Sequence, residues 1–275
     1  MSTIIEFYGS PGVGKTTLAD KSVDYLKKLG INAKDSKECL YIGLKNRLRN
    51  AEKTTAQAKL GNILMRTLPH KIGQKIVNFV EPSPFKSELV ILFELQNPSL
   101  VNKLIEDVNE MYELKEGRMA LNKMHDVYFR YQNIIENLND ADAEIVVMDD
   151  GFCKMGVDLY SLFYENKLVS DNREKLKRYI EYTSEKIDYA FFIDAEPRIC
   201  DKRQRNRDYY GLNWKLETKN EQARLQAWKI TQKNSKLIHN TLKKKGVESF
   251  KIRNNGSLKK STNILKNYLQ DIISQ

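Results

Sequence analysis

Two rhythms of apolar residues run through this chain. Thr3-Ile4-Ile5-Glu6-Phe7-Tyr8 is β-branched and aromatic, the composition of a strand, and it stops at Gly9. Leu18, Val23, Leu26 and Leu29 then mark a helix from Thr17 to Leu29, with Gly30 as its stop signal. Residues 32–36 read as a short second strand ending in a carboxylate, Asp35. From about Cys39 to Asp140 the strand signal gives way to helical periodicity. Leu121, Met124, Tyr128, Tyr131, Ile135 and Leu138 recur at spacings of three and four, the pattern of one buried helix face. Gly61, Pro69, Gly73, Pro82, Pro84, Pro98 and Gly117 divide the stretch into several helices.

Beyond it, residues 144–151 predict a buried strand ending in two acids, Tyr189–Asp194 a second such strand, and Val247–Ile252 a weaker one. Helices are predicted over 171–186, 197–206, 219–244 and 257–273. Strands alternating with helices imply an α/β fold, a parallel sheet covered on both faces. Such sheets bind ligands at the carboxyl ends of their strands, where Gly9, Asp35 and Asp149 fall. The expected organisation is a single domain over 1–275 with a helical insertion at 39–142 that shapes or covers an acceptor site.

Composition narrows the class. At 275 residues and 41% apolar content, the chain can bury a sizeable core. Cys39, Cys153 and Cys200 are odd in number and widely spaced, which suits reduced thiols and neither a disulfide framework nor a zinc site. The N-terminus runs straight into a strand, leaving no room for a signal peptide, and Leu89–Phe93 is flanked by Glu88 and Glu94. A soluble, cytoplasmic protein without a membrane partner is expected. The net charge of +10 comes from scattered lysines, densest at Lys243-Lys244-Lys245 and Lys259-Lys260. Solvated helix faces and phosphorylated substrates account for that excess, so nucleic acid is not an expected partner.

Chemistry enters with Gly9-Ser10-Pro11-Gly12-Val13-Gly14-Lys15-Thr16-Thr17. The segment fits G-x-x-x-x-G-K-[ST] at every fixed position and lies between a strand and a helix, as that motif requires. Backbone N–H groups of such a loop, with the helix N-terminus, cage anionic oxygens. Ser10, Pro11, Gly12, Val13, Gly14, Lys15, Thr16 and Thr17 are therefore expected to bind ATP. Lys15 would reach the β- and γ-phosphates, and Thr16 would help hold Mg²⁺.

Four apolar residues precede Asp149, which makes it a second candidate Mg²⁺ ligand. Asp150 beside it could accept a proton or orient a metal-bound water; the alternative is two acids capping a strand end or the next helix. Arg198, Lys202, Arg203, Arg205 and Arg207, followed by Asp208-Tyr209-Tyr210-Gly211, suggest a lid over 198–220. Arg203 and Arg207 share a face if the helix extends that far, and their guanidinium groups suit the charge of phosphoryl transfer. A solvated basic helix is the other reading.

The phosphate loop, the strand ending Asp149-Asp150-Gly151 and the segment "KIDYAFFIDAEPRICDKRQRNR" together resemble the P-loop small-molecule kinases of the thymidylate kinase and deoxynucleoside kinase type. Asp188, Ile193, Asp194, Glu196, Pro197, Arg203 and Arg207 occupy the places of that family's strand, helix and lid pattern. The resemblance covers about residues 1–36 and 144–275 and implies a five-stranded parallel sheet of order 2-3-1-4-5. It also implies a base at the end of the second strand, where Asp35 stands with Glu38 close behind. Asp149-Asp150-Gly151 replaces the D-R-[YFS] of thymidylate kinases, and Glu81-Pro82-Ser83-Pro84 comes some forty residues too late for the family's E-P-G segment. An acceptor other than thymidylate is therefore expected.

The expected function is Mg²⁺-dependent phosphoryl transfer from ATP to a small acceptor such as a nucleoside, a nucleotide or a sugar-like metabolite. Lys15, Asp35, Asp150, Arg203 and Arg207 are the candidate catalytic groups. The alternatives are a regulatory NTPase or a nucleic-acid end kinase, and homodimerisation stays open. Arg47, Arg49, Arg66, Arg118 and Arg130 are candidates for gripping an acceptor phosphate. His125, Trp214 and Trp228 read as structural, and His70 falls in a loop.

Overall fold

The strands read from the sequence pair as one sheet in a computed structural model of the chain, which describes residues 2–51, 84–109, 124–136, 142–165, 172–206 and 220–275. β1 (Thr3–Tyr8), β2 (Ala33–Asp35), β3 (Ile145–Met148), β4 (Tyr189–Asp194) and β5 (Glu248–Arg253) lie in the order β2-β3-β1-β4-β5. Every pairing is parallel, with Glu6 opposite Met148 and Ala190. The chain thus has the expected α/β fold with order 2-3-1-4-5.

Alternation along β1 and β4 divides the interior between the two faces of the sheet. Ile5, Phe7, Phe191 and Ile193 join one core cluster with Leu18, Val23 and Leu26 of α1 (Lys15–Lys28). Leu265 and Leu269 of the last helix, Leu258–Ile273, complete that layer. Tyr8, Ala190 and Phe192 face the other way, into a cluster built by the remaining helices. These are α2 (Ser36–Ala51), α3 (Pro84–Gln96), α4 (Pro98–Asn109), α5 (124–136), α6 (Phe152–Glu165) and α7 (Asn172–Thr183). α8 (Pro197–Arg205) follows β4. α9 (Glu221–Lys244) spans both layers, giving Trp228 to one and Ile238 and Leu242 to the other, and α10 is the last helix.

Two expectations change. α6 was not expected, although Lys154, Asp158 and Ser161 recur at spacings of four and three as a narrow polar stripe on an otherwise apolar helix. Phe152, Cys153, Met155, Val157, Leu159 and Tyr160 are all at most 2% exposed. Gly156 also lowers its helix propensity, yet a Cβ there would sit 2.7 Å from the Tyr179 ring of α7. In α5, Met124 and Tyr128 are buried as expected, but Ile135 is 40% exposed. Phe129 and Asn133, on the flank away from the predicted face, are buried instead. The helix is enclosed on several sides in its middle, so exposure follows position along it more than face. Leu121 and Leu138 lie outside the described residues. Among the described residues no helix is long and apolar enough to cross a membrane.

Candidate active site

β1 delivers the chain to Gly9, and α1 begins at Lys15, two residues earlier than its apolar pattern suggests. Gly12 and Gly14 have φ of 81° and 92°, left-handed values that disfavour a side chain. Space forbids one as well: a Cβ would lie 2.6 Å from the Cys200 carbonyl oxygen at Gly12, and 2.6 Å from Asn254 Nδ2 at Gly14. The loop can therefore pass tightly between α8 and the end of β5. As the residue before α1, Gly14 offers no side-chain cap, and the first turn of α1 carries no acid. The N–H groups and positive dipole end of this helix remain available to an external anion. Lys15 is half-buried, and Thr16 and Thr17 are exposed at the same end.

The loop is gripped from behind by residues scattered through the last third of the chain. Thr231 Oγ1 of α9 lies 2.8 Å from Ser10 Oγ. The Val13 carbonyl accepts from Asn254 Nδ2 at 2.6 Å and from Arg203 Nη1 at 3.4 Å, and Arg203 also reaches the Gly12 carbonyl at 3.5 Å. Ser261 donates to Asn254 Oδ1 at 2.9 Å, which fixes the amide with its NH₂ towards the loop. α8 is itself tied down at Asp201, which accepts from Arg224 Nε at 2.9 Å and from Trp228 Nε1 at 3.4 Å. Burial opposes ionisation of Asp201, but those donors hold its carboxyl below the usual range. Arg203 thus stands on a helix packed against the loop. That helix ends at Arg205 with Asn206 as its cap, close to the predicted 197–206. Arg207, Trp214 and the rest of the expected lid through 219, with His70, Arg66 and Arg118, lie outside the described residues. Nothing marked Thr231 or Asn254 in advance, since neither belongs to a motif or periodic pattern.

Acids gather at the neighbouring strand ends. Asp149 and Asp150 form the turn after β3, both half-buried, and Arg130 Nη1 of α5 lies 3.1 Å from Asp150 Oδ2. Asp35 Oδ1 accepts the Glu38 N–H at 2.7 Å, so this candidate base also caps the start of α2. Glu38 bears a burial cost but is held below the usual carboxylate range by Lys27 and Lys34, at 3.1 and 3.2 Å. That pairing makes Glu38 a poor proton acceptor. Asp20 of α1 escaped the sequence reading; partial desolvation, and then the charges of Asp149 and Asp35, push its carboxyl up. Among the described residues no cluster of three His, Cys, Asp or Glu forms a metal cage. His125 is 43% exposed, 3.7 Å from Glu94, in keeping with a structural edge position.

A buried acid beneath these strand ends was also missed. Glu6, in the middle of β1, is 1% exposed and lies under the Asp149–Gly151 turn. Its Oε1 accepts the Lys154 N–H at 3.0 Å, and the Cys153 N–H and thiol also donate to its carboxyl. Burial outweighs these bonds and pushes its pKa from the ordinary 4.5 to about 7, with a smaller push from Asp150.

No family model matches the chain, and no curated protein matches it. Among solved structures it is similar to deoxyadenosine kinase from M. mycoides with bound dCTP, at 12% identity and a TM-score of 0.44. The same kinase with the products dCMP and a flexible dCDP gives 12% and 0.49, and with bound dATP 13% and 0.47. Each match covers 98% of this chain and 100% of the other.

Proposed function

We propose that this protein is a phosphotransferase that moves the γ-phosphoryl group of ATP to a small acceptor. The observation that carries the reading is the uncapped N-terminus of α1, presented by a loop locked through Val13 and flanked by the acids at the ends of β2 and β3. In this reading the loop N–H groups and Lys15 bind the triphosphate, and Arg203 supplies a further cation beside the loop. Thr16 and Asp149 suit Mg²⁺: both are hard oxygen donors, and this ion keeps several waters and phosphate oxygens rather than filling an all-protein cage. When bound, Mg²⁺ offsets the charge of the phosphate oxygens. Asp150, oriented by Arg130, and Asp35 face the acceptor and take or direct its proton. Asp35 is less free to do so, because one of its oxygens caps α2. A nucleoside, a nucleotide or a sugar-like metabolite each offers the hydroxyl or phosphate oxygen that such an arrangement activates.

The test is ADP formation from Mg²⁺ and ATP, measured against panels of nucleosides, nucleotides and sugars. Stimulation by one acceptor class is expected, with Lys15→Ala lowering the stimulated rate by at least ~10²-fold. ADP formation indifferent to every acceptor would replace this reading with a hydrolytic NTPase.

A further inference from the structure

The turn that carries Asp149 and Asp150 joins the end of β3 to the first residue of α6, Phe152. Its two ends converge on one residue. The backbone of Glu6 is in register with Met148, the last residue of β3. Its side chain crosses beneath the turn to the N–H groups of Cys153 and Lys154, the second and third residues of α6. Those are the donors that a helix's own capping side chain satisfies, and Gly151, which precedes α6, has no side chain to do so.

Gly151 is shaped to this arrangement. A Cβ on it would lie 2.7 Å from Glu6 Cδ and 2.8 Å and 3.0 Å from its two carboxylate oxygens. Glycine at 151 and glutamate at 6 are therefore one unit: the missing cap and the missing Cβ leave the space that the strand residue fills. We propose that Glu6 is the positioning residue of the acid-bearing turn, setting where Asp149 and Asp150 stand relative to the phosphate loop without touching nucleotide or metal. The proposal rests on the phosphotransferase reading for what the two acids do, but its test reads binding alone.

The measurement is the affinity of a fluorescent ATP analogue with and without Mg²⁺, in the wild type, Asp149→Asn, Glu6→Gln, Glu6→Ala and Gly151→Ala. Near-ultraviolet circular dichroism reports whether each variant is folded. In the wild type Mg²⁺ tightens binding, and Asp149→Asn removes that tightening. Glu6→Ala and Gly151→Ala are expected to cut the tightening by about 10- to 100-fold, as loss of groups that orient metal ligands commonly does. Mg²⁺-free binding by the loop should stay unchanged in both. Glu6→Gln keeps an oxygen for the Lys154 N–H and should lose much less. If Glu6→Ala does not fold, Gly151→Ala, which keeps the carboxylate but displaces it, decides the matter by the same comparison. Full Mg²⁺ tightening in a folded Glu6→Ala, or in Gly151→Ala, would overturn the assignment of Glu6. A wild type that binds no nucleotide would instead overturn the phosphotransferase reading, and with it this proposal.

Discussion

Glu6→Gln should change how the stability of this protein depends on pH. In the unfolded chain the carboxyl ionises near 4.5, and in the fold near 7, because burial disfavours its charge. Between those values the folded state binds more protons, so rising pH favours unfolding. The stabilisation from the protonated carboxyl is complete below 4.5 and gone above 7. At 1.36 kcal/mol per pH unit, that gap is worth about 3 kcal/mol. Of the groups that face Glu6, Cys153, Tyr8 and Tyr179 are buried and their pKa values raised, so they stay protonated through the window, which leaves Asp150 as the charge that interacts with it.

Glutamine removes the titration and keeps the size. The melting temperature of Glu6→Gln minus that of the wild type should therefore rise by roughly 6 °C between pH 4.5 and pH 8, and then level off. Thermal melts by circular dichroism at half-unit pH steps give this difference directly, since contributions common to both proteins cancel. A difference that stays flat would mean that Glu6 ionises as freely as in water. A difference that falls with pH would mean that the N–H groups of α6 outweigh burial, and the energetic reasoning would fail.

Other outcomes follow from the supports of the loop. Asn254→Ala removes the donor to the Val13 carbonyl and should weaken ATP binding about tenfold, read by calorimetry, since a lost hydrogen bond to a buried carbonyl costs about 1–2 kcal/mol. Ser261→Ala, which only orients that amide, should cost less. Asp201→Ala removes the carboxylate that Arg224, with 11% of its side chain exposed, meets at 2.9 Å and should cost about 3 kcal/mol in denaturant unfolding. Arg205→Ala, removing the 55%-exposed partner of the same acid, should cost under about 1 kcal/mol.

The sheet was legible because parallel strands buried on both faces leave continuous apolar runs, and Tyr189–Asp194 and Ile145–Met148 stand out on that ground alone. The phosphate loop was legible because its glycines answer to local geometry. α6 was not, since its polar stripe of Lys154, Asp158 and Ser161 is narrow and the rest of the segment is a nearly continuous apolar run that periodicity alone does not resolve. Glu6 carries no local signal within the first strand, and its meaning depends on Gly151, 145 positions away. Asn254 and Thr231 meet the loop only through the fold, across 241 residues to Val13 in one case and 221 to Ser10 in the other. Sequence pattern reports what each element needs; it is silent on which distant side chain will satisfy an orphaned backbone group.

The most direct test of the central claim follows the label of γ-phosphate-labelled ATP, with Mg²⁺, in the presence and absence of a small-molecule extract of the source cells, for the wild type and Lys15→Ala. The account predicts label in a new small-molecule product that requires both extract and Lys15. Label released as free phosphate at the same rate with or without extract would contradict it.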